Sequence, residues 1–180
     1  DFRKGLGCAW RTINDTVMGG SSSSSFGHSE SGRHAVFAGE LSTAGGGGFA
    51  SVRSVVQEFP KCSGYRGLEV FCEGDSRQYK LVLITNSSYD GVSYQQEFTP
   101  PPVPGTGNGG RMNSCKLPFE NFMPTWRGRL VANTSPLDPD SIRQVGLMAS
   151  KFGGGPNTGT MVPDFRPGPF ELRVQGIETY

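Results

Sequence analysis

Hydrophobic and polar residues alternate along several stretches of the chain with a period of two, which is typical of β-strands. In the clearest stretch, Leu68, Val70 and Cys72 fall on one face, and Glu69, Phe71 and Glu73 fall on the other. Similar stripes are Tyr79/Leu81/Leu83, Tyr94/Gln96/Phe98 and Phe170/Leu172/Val174. Shorter candidate strands cover residues 35–38, 49–55, 130–132 and 145–149. The pattern predicts eight or nine short strands and an all-β fold, a β-sandwich or jelly roll.

Long segments rich in Gly, Pro and Ser separate these strands. They are a serine run at 21–25, a glycine run at 45–48, and two Gly/Pro-rich segments at 100–110 and 152–169. An alternating strand follows each segment, so we interpret all four as loops within a single domain over residues 1–180. Loops on a rigid sandwich often carry binding sites. For residues 100–110, a binding loop and a disordered one are equally compatible with the composition. A helical turn is predicted to begin at Asp140 or Ser141, which are good N-caps.

Composition, charge and the length of apolar runs exclude several classes of fold and function. The 180 residues include 27 Gly and 13 Pro, which excludes a mainly helical fold. The formal net charge is +1 and no segment is strongly basic, so we expect no nucleic-acid partner. The longest uninterrupted apolar run is residues 81–84, far short of the ~20 residues of a membrane span. At most, we expect a peripheral contact with a membrane.

The four cysteines are Cys8, Cys62, Cys72 and Cys115, and no pair has the Cys-x-x-Cys spacing of a zinc site. Two interpretations stay open. In a secreted protein they would form two disulfides, in any of three connectivities. Otherwise they are reduced thiols that behave as small, mostly buried hydrophobes.

The sequence contains few residue patterns typical of catalytic, cofactor or metal sites. The two histidines, His28 and His34, precede the first clear strand, and we expect both at the surface. Residues 105–110 fit Gly-x-Gly-x-x-Gly, but no helical pattern follows them, so a dinucleotide site is not predicted. Asp138 and Asp140 could join a calcium site, although a solvated turn fits better. We therefore predict no enzyme, no catalytic residue, no metal and no cofactor.

The segment from Trp10 to Ser22 has an unusual composition for a surface loop. Apolar residues surround Asn14 and Asp15, a pair that favours a turn, and two glycines follow. We expect Trp10, Met18 and Phe49 in or near the core. Asp15 is expected to pair with Arg53 across the sandwich.

A second turn is predicted farther along the chain. Gly74 and Asp75 favour a hairpin turn before the strand that begins near Tyr79.

Two sequence motifs carry a resemblance to a known family. Residues 10–22 read W-x-x-x-N-D-x-V-M-G-G-x-S, and residues 47–53 read G-G-F-A-S-V-R. With the stretches that follow them to Tyr180, they resemble the complex I intermediate-associated protein family. The resemblance implies a galactose-binding-like jelly roll, similar in architecture to several carbohydrate-binding modules. The candidate partner- or ligand-binding residues are Trp10, Asn14, Asp15, Met18, Gly19, Gly20, Phe49, Arg53, Asp75, Tyr79 and Trp126.

The resemblance implies a non-catalytic role as a chaperone-like assembly or stabilising factor. Members of the family assist respiratory complex I assembly in mitochondria, and relatives act on photosynthetic complexes in plastids. The expected partners are protein subunits of a large complex in the mitochondrial matrix, or in the plastid stroma or at the thylakoid surface. A resident linker of a photosynthetic antenna, such as a phycobilisome, is an alternative.

A carbohydrate-binding module is a further alternative. Such a module needs exposed aromatic side chains on a concave face. The candidates here are Trp126, Tyr94 and Tyr89.

Overall fold

The computed structural model describes residues 1–2, 7–85, 91–101 and 112–180. Within these residues, twelve strands form two antiparallel sheets. The strands are β1 (Trp10–Thr12), β2 (Ser23–His28), β3 (Ala35–Leu41), β4 (Phe49–Ser54), β5 (Gly67–Gly74), β6 (Tyr79–Ile84), β7 (Ser93–Phe98), β8 (Ser114–Pro118), β9 (Met123–Trp126), β10 (Arg129–Leu130), β11 (Gln144–Ser150) and β12 (Gly168–Thr179). The seven-stranded sheet has the order β1-β4-β11-β6-β7-β9-β10, and the five-stranded sheet has the order β2-β3-β12-β5-β8.

The core lies between the two sheets and is filled by the alternating stripes seen in the sequence. Tyr79, Leu81 and Leu83 of β6 are fully buried and face Phe37 of β3 and Leu172 of β12. Aromatic rings meet across this layer, with the centroids of Phe37 and Tyr79 6.3 Å apart. The predicted all-β sandwich is therefore confirmed, and the four clearest stripes are β5, β6, β7 and β12.

The strands missing from the sequence prediction lie mainly at sheet edges. β1, β2 and β8 are edge strands, and β9 is next to the edge strand β10. The serine run predicted as a loop is in part strand β2, which begins at Ser23. An edge strand packs on one neighbour only and is partly exposed, so its sequence needs fewer apolar residues. The periodic signal is correspondingly weak there.

β6 is buried on both faces, which simple alternation does not predict. Lys80, Val82 and Ile84 point away from the core, yet they are only 5%, 3% and 2% exposed. Part of the cover comes from the segment after β11, because Gly154 lies against the Lys80 stem. The centre of the seven-stranded sheet is therefore shielded on its outer face as well.

The predicted hairpin turn at Gly74 and Asp75 is wrong. β5 ends at Gly74 in the five-stranded sheet, and β6 begins at Tyr79 in the seven-stranded sheet. The connection thus crosses between the two layers. Asp75 stabilises the crossing because it accepts hydrogen bonds from the Arg77 Nε (3.0 Å) and the Tyr79 hydroxyl (3.0 Å). Arg77 in turn donates from Nη2 to the Pro169 carbonyl at 2.9 Å, which ties the crossing to β12.

The predicted turn near Asp140 exists, but it begins slightly earlier. A short 3-10 turn covers Pro139–Ser141, and Asp138 caps it by accepting from the Asp140 amide at 3.1 Å. Asp140 itself accepts hydrogen bonds from the Cys62 amide (2.7 Å) and the Ser63 amide (2.8 Å). Both carboxylates therefore organise loop backbone, and in the described part of the chain no three His, Cys, Asp or Glu side chains gather as metal ligands.

The structure contains no disulfide among the four cysteines, which are all free thiols. Among the described residues, no helix has the length and hydrophobicity needed to span a bilayer.

The hydrogen bonds to Asp75 predict that two substitutions lower the free energy of unfolding by different amounts. Asp75→Ala should lower the free energy of unfolding by about 2 kcal/mol, because it removes the acceptor of the buried Tyr79 hydroxyl and of the Arg77 Nε. Tyr79→Phe removes only one donor and should cost about 1 kcal/mol. Urea unfolding of both variants measures the difference. Equal losses, or a larger loss for Tyr79→Phe, would contradict this account of the crossing.

Candidate functional site

The segment between β1 and β2 forms a compact turn. A single turn of 3-10 helix covers Asp15–Met18 and ends at Gly19, which has a left-handed conformation with φ of 86°. The amide of Gly19 donates to the Thr16 carbonyl at 3.2 Å, and the amide of Gly20 donates to the Asp15 carbonyl at 3.0 Å. A residue with a side chain adopts this positive φ only at a cost, so glycine suits the chain reversal at position 19.

Asp15 is the buried centre of this turn. Its side chain is 1% exposed and accepts four hydrogen bonds. The donors are the Ser22 amide (2.9 Å), the Ser22 hydroxyl (2.6 Å), the Gly48 amide (2.7 Å) and the Phe49 amide (3.2 Å). One carboxylate thus joins the turn to the residue before β2 and to the first residues of β4.

The surroundings of Asp15 favour its charged form. Burial by itself raises the pKa of the carboxyl. The hydrogen bonds from Ser22, Gly48 and Phe49 outweigh burial and hold the pKa below its ordinary value. The folded protein therefore contains an ionised, buried aspartate whose charge is satisfied by donors from two distant segments.

Two glycines make room for this carboxylate. A Cβ atom on Gly20 would lie 2.4 Å from Asp15 Cγ, and one on Gly47 would lie 2.4 Å from Asp15 Oδ2. A third glycine, Gly45, packs directly on the turn, since its Cβ would lie 2.3 Å from the Gly19 carbonyl oxygen. The glycines of both sequence motifs thus permit one close-packed node, which we call the Asp15 node.

Asn14 adds a second attachment to the same strands. Its Oδ1 accepts hydrogen bonds from the Ser24 hydroxyl of β2 (2.7 Å) and the Ser51 amide of β4 (3.1 Å). The structure therefore brings Asn14, Asp15, Gly19, Gly20 and Phe49 of the candidate list together. Their contacts make this group an anchor for the turn.

The expected pairing of Asp15 with Arg53 is wrong. The donors to Asp15 are the groups of Ser22, Gly48 and Phe49. Arg53 lies four residues after Phe49 along β4, which corresponds to roughly 13 Å of extended strand. There it is opposite Arg11 of β1 and Gly146 of β11.

The node places two apolar side chains in solvent. Val17 is 66% exposed and Met18 is 72% exposed, so the expectation that Met18 belongs to the core is wrong. The reason is that Asp15 occupies the buried position of this short turn, and the next residues point outward. Trp10, by contrast, is near the core as expected: its half-buried ring lies 4.5 Å from the Phe26 ring. Phe49 is also half-buried.

Further exposed apolar residues lie at the same end of the sandwich. The Lys151 ammonium donates to the Gly46 carbonyl at 3.3 Å and lies 5.2 Å from the centroid of the Phe152 ring. Phe152 forms a β-bridge with Met161, and these two residues are 38% and 62% exposed. Through the contact of Gly45 with Gly19, this group adjoins the Asp15 node. We call Val17, Met18, Phe152 and Met161 the end patch.

The remaining candidate residues lie elsewhere. Asp75 and Tyr79 belong to the crossing between sheets described above. Trp126 is 43% exposed on β9 near the opposite edge of the seven-stranded sheet, and the Arg127 guanidinium lies 4.7 Å from its ring centroid. Of the other two glycan candidates, Tyr94 is buried and donates to the Ser135 carbonyl at 2.9 Å, and Tyr89 lies outside the described residues.

A buried polar group on the outer face of the seven-stranded sheet escaped the sequence analysis. Lys80 of β6 lies opposite Glu97 of β7, and burial lowers the pKa of Lys80 to about 8, although Glu97 opposes this shift. Glu97 accepts hydrogen bonds from the Gly154 amide (3.0 Å) and the Asn157 side-chain amide. The segment containing Gly154 and Asn157 therefore lies over the sheet face. Only tertiary structure brings these groups together, so no local motif predicts them.

A cavity lies at the end where the chain termini meet. It has a volume of about 520 Å³, and most of its walls are apolar. The lining side chains include Phe2, Trp10, Phe59, Leu68, Ile142 and Ile177. Its size falls within the range of small-molecule sites. The walls come from many separate segments, so the sequence gives no sign of this cavity.

Comparison with known proteins agrees with this architecture. A family model described as Complex I intermediate-associated protein 30 matches residues 1–174. An uncharacterized protein of Schizosaccharomyces pombe is 29% identical over 157 residues, which cover 79% of this chain and 69% of that protein.

Two solved structures share the fold. The family 11 carbohydrate-binding module of the cellulosomal cellulase Lic26A-Cel5E from Clostridium thermocellum is 14% identical with a TM-score of 0.57, covering 93% of this chain and 87% of the module. The same family's module in complex with a β-1,3-1,4-mixed-linked tetrasaccharide gives a TM-score of 0.56 at 14% identity, covering 98% of this chain and 93% of the module. At this identity the similarity concerns the fold alone, and it confirms the predicted jelly roll.

The Asp15 node predicts a characteristic dependence of stability on pH. At pH 7, Asp15→Asn should cost about 2–3 kcal/mol, because the carboxamide turns an N–H donor towards amides that already donate. The folded-state pKa of Asp15 is lowered, so its contribution is complete above the unfolded-state pKa and is lost as the pH falls through the folded-state pKa. The difference between wild type and variant should therefore shrink below about pH 4.

Urea unfolding between pH 7 and pH 3 measures this difference. Asp164→Asn is the matched control, since Asp164 is exposed. A difference in the free energy of unfolding between wild type and Asp15→Asn that stays constant from pH 7 to pH 3 would contradict the role assigned to the ionised carboxylate.

Proposed function

The chain belongs to the complex I intermediate-associated protein 30 family, and we propose that it is a non-catalytic, protein-binding assembly factor for respiratory complex I. The proposal rests on the family match over residues 1–174 and on the structure formed by the motif at residues 10–22. That motif builds an ordered node with two exposed apolar side chains, Val17 and Met18. The proposed partners are protein subunits of the forming complex.

The proposed mechanism is docking on a preformed surface. Exposed apolar residues grouped on one face are a common feature of protein interaction sites. The end patch provides four exposed apolar residues, and the Lys151 ammonium lies over the ring of one of them, Phe152. The hydrogen bonds to Asp15 and Asn14 already order the turn in the free protein, so little conformational entropy is lost when a partner binds.

The two methionines of the patch suit a surface that must fit more than one intermediate. Met18 and Met161 are among the most exposed apolar side chains of the described residues. Methionine is flexible and polarisable, and it adapts to irregular partner surfaces. We therefore propose transient contact with assembly intermediates as the role of this end, and we prefer it to permanent residence in the mature complex.

We propose mitochondria as the location. The family description refers to a complex I intermediate, and this points to the respiratory chain. The comparisons lend no support to the plastid location or to the antenna linker that the sequence resemblance also allowed. The matrix side of the inner membrane is the proposed compartment.

The end patch can be tested without disturbing the node. The double variant Val17→Ser/Met18→Ser should fold with a free energy of unfolding within about 0.5 kcal/mol of wild type, because both side chains are exposed. The amount of the variant that co-migrates with complex I intermediates should fall at least about tenfold, because the apolar contact is removed. A tenfold loss corresponds to about 1.4 kcal/mol of binding free energy. Native size fractionation of solubilised mitochondria with quantitative mass spectrometry measures this loss.

Leu130→Ser is the control, since Leu130 is 47% exposed at the far edge of the seven-stranded sheet. It should leave the distribution unchanged. If the double variant still co-migrates with intermediates at wild-type levels, the end patch is not the docking surface. If wild-type protein runs only at its monomer mass, the assembly role itself fails.

Carbohydrate binding is the second candidate, and the observation in its favour is the exposed ring of Trp126 near a sheet edge. One clostridial structure of the same fold holds a mixed-linked tetrasaccharide. Against this candidate, Tyr94 is buried, and the segment around Gly154 covers part of the outer face of the seven-stranded sheet.

A titration separates the two candidates. Under the assembly proposal, the β-1,3-1,4-mixed-linked tetrasaccharide leaves the tryptophan fluorescence of the protein unchanged. Saturable binding that disappears in Trp126→Ala would favour the carbohydrate-binding role instead.

A further inference from the structure

Two cysteines meet across the edge of the five-stranded sheet. β5 pairs with the edge strand β8, and Cys115 lies directly opposite Val70. Cys72 follows Val70 by two residues, so its side chain lies on the same face of the sheet. The Cys72 amide donates to the Asn113 carbonyl at 2.9 Å, which extends the pairing beyond both thiols. Cys72 and Cys115 are thus diagonal neighbours, for which the usual Cα separation is about 7–8 Å.

The two thiols differ in their access to solvent. Cys72 is 0% exposed and belongs to the core between the sheets. Cys115 is partly exposed, and its Sγ lies 3.4 Å from the Thr99 carbonyl oxygen. A reagent from solution therefore meets Cys115 first, and Cys72 is reached only through it.

The proximity of the two thiols shifts their pKa values in opposite directions. The neighbouring Cys72 thiol lowers the pKa of Cys115, although partial burial opposes this shift. The neighbouring Cys115 and burial raise the pKa of Cys72. An accessible thiol with thiolate character beside a second, protected thiol is the arrangement typical of cysteines that react with peroxides.

The other two cysteines have different surroundings. Cys8 accepts a hydrogen bond from the Gln57 side-chain amide at 3.3 Å. The Cys62 thiol donates to the Pro60 carbonyl at 3.1 Å, and burial and the nearby Asp140 carboxylate raise its pKa. They provide internal controls within the same chain.

We propose that Cys115 and Cys72 form an oxidation site at which a hydroperoxide converts the two thiols into one disulfide. The Cys115 thiolate attacks an oxygen of the hydroperoxide, so that an S–O bond forms, the O–O bond breaks and the alcohol or water leaves. The Cys72 sulfur then attacks the Cys115 sulfur, the S–S bond forms, and the hydroxide leaves as water with the Cys72 proton. The two thiols lose two electrons, and the hydroperoxide gains them.

The position of the pair in the sheet allows this reaction. A disulfide needs Cα atoms roughly 4.4–6.8 Å apart, so closure from a diagonal position requires a shift of about 1 Å. β8 has five residues and, among the strands that the structure describes, pairs only with β5, so it can make this shift without breaking the sandwich. The movement would reach Met112, whose amide donates to the Gln175 side chain at 3.0 Å. Oxidation would thus alter the start of β8, a feature independent of the proposed assembly role.

Trypsin separates the four cysteines, which makes the test direct. Cleavage after Arg and Lys places Cys72 in peptide 67–77 and Cys115 in peptide 112–116, and Cys8 and Cys62 fall in two others. The whole chain is treated with hydrogen peroxide, blocked with an alkylating reagent and digested without reductant. We expect peptides 67–77 and 112–116 to appear linked, with the loss of two hydrogens, and to separate again after dithiothreitol.

Variants test the order of the two steps. In Cys72→Ser, Cys115 should lose its partner and proceed to the sulfinic acid. In Cys115→Ser, the buried Cys72 should stay reduced at the same dose of peroxide. Cys8→Ser should leave the linked peptide unchanged. All three variants change one thiol to a hydroxyl, and circular dichroism checks that each is folded.

Three outcomes would overturn the proposal. Cys115 could remain reduced at doses that oxidise Cys8. It could accumulate as sulfinic acid in the wild-type chain without a linked peptide. Finally, the main linked peptides could contain Cys8 or Cys62. The size distribution of the protein in mitochondria does not enter this test, so its result and that of the assembly proposal are independent.

Discussion

The carboxylate of Asp15 is the group on which the N-terminal half of this structure depends. It is buried, ionised and held by four donors, and these donors come from two segments that are far apart in sequence. A buried charge is costly unless its hydrogen bonds are satisfied. The turn, the residue before β2 and the start of β4 therefore have to adopt one mutual arrangement. The glycines at 20 and 47 follow from this requirement, because a side chain at either position would collide with the carboxylate.

This constraint connects the fold to the proposed function. With Asp15 directed inward, Val17 and Met18 point into solvent at a fixed position. Gly45 packs on the turn and Lys151 bonds to the neighbouring Gly46, so the residues after β11 complete the same end of the sandwich. Residues 10–22, from which we expected Met18 in the core, thus hold Val17 and Met18 in place at an exposed apolar surface. In this account, the interaction surface is as ordered as the core because a charged group anchors it.

The sequence predicted the fold class well and the site only in part. Strands such as β6 and β12 carry strict apolar stripes because both lie between neighbours and face the core. β2 is half serine and lies at an edge, so period-two alternation could not identify it. The motif singled out Asn14, Asp15, Gly20 and Phe49 as candidate binding residues. Local pattern could not show that the donors to Asp15 are three backbone amides and the Ser22 hydroxyl, and the expected salt bridge to Arg53 was therefore wrong. Lys80 and Glu97 became neighbours only through the register of β6 and β7.

The central claim is that the Asp15 node presents Met18 to subunits of a forming complex I. The most direct test places a photo-crosslinking amino acid at position 18 in mitochondria and, in a parallel experiment, at position 130. Both positions are exposed, so neither substitution should disturb folding. The account predicts crosslinks from position 18 to one or a few complex I subunits, with none of them from position 130. Identical crosslinks from both positions, or none from position 18 while the protein co-migrates with intermediates, would contradict it.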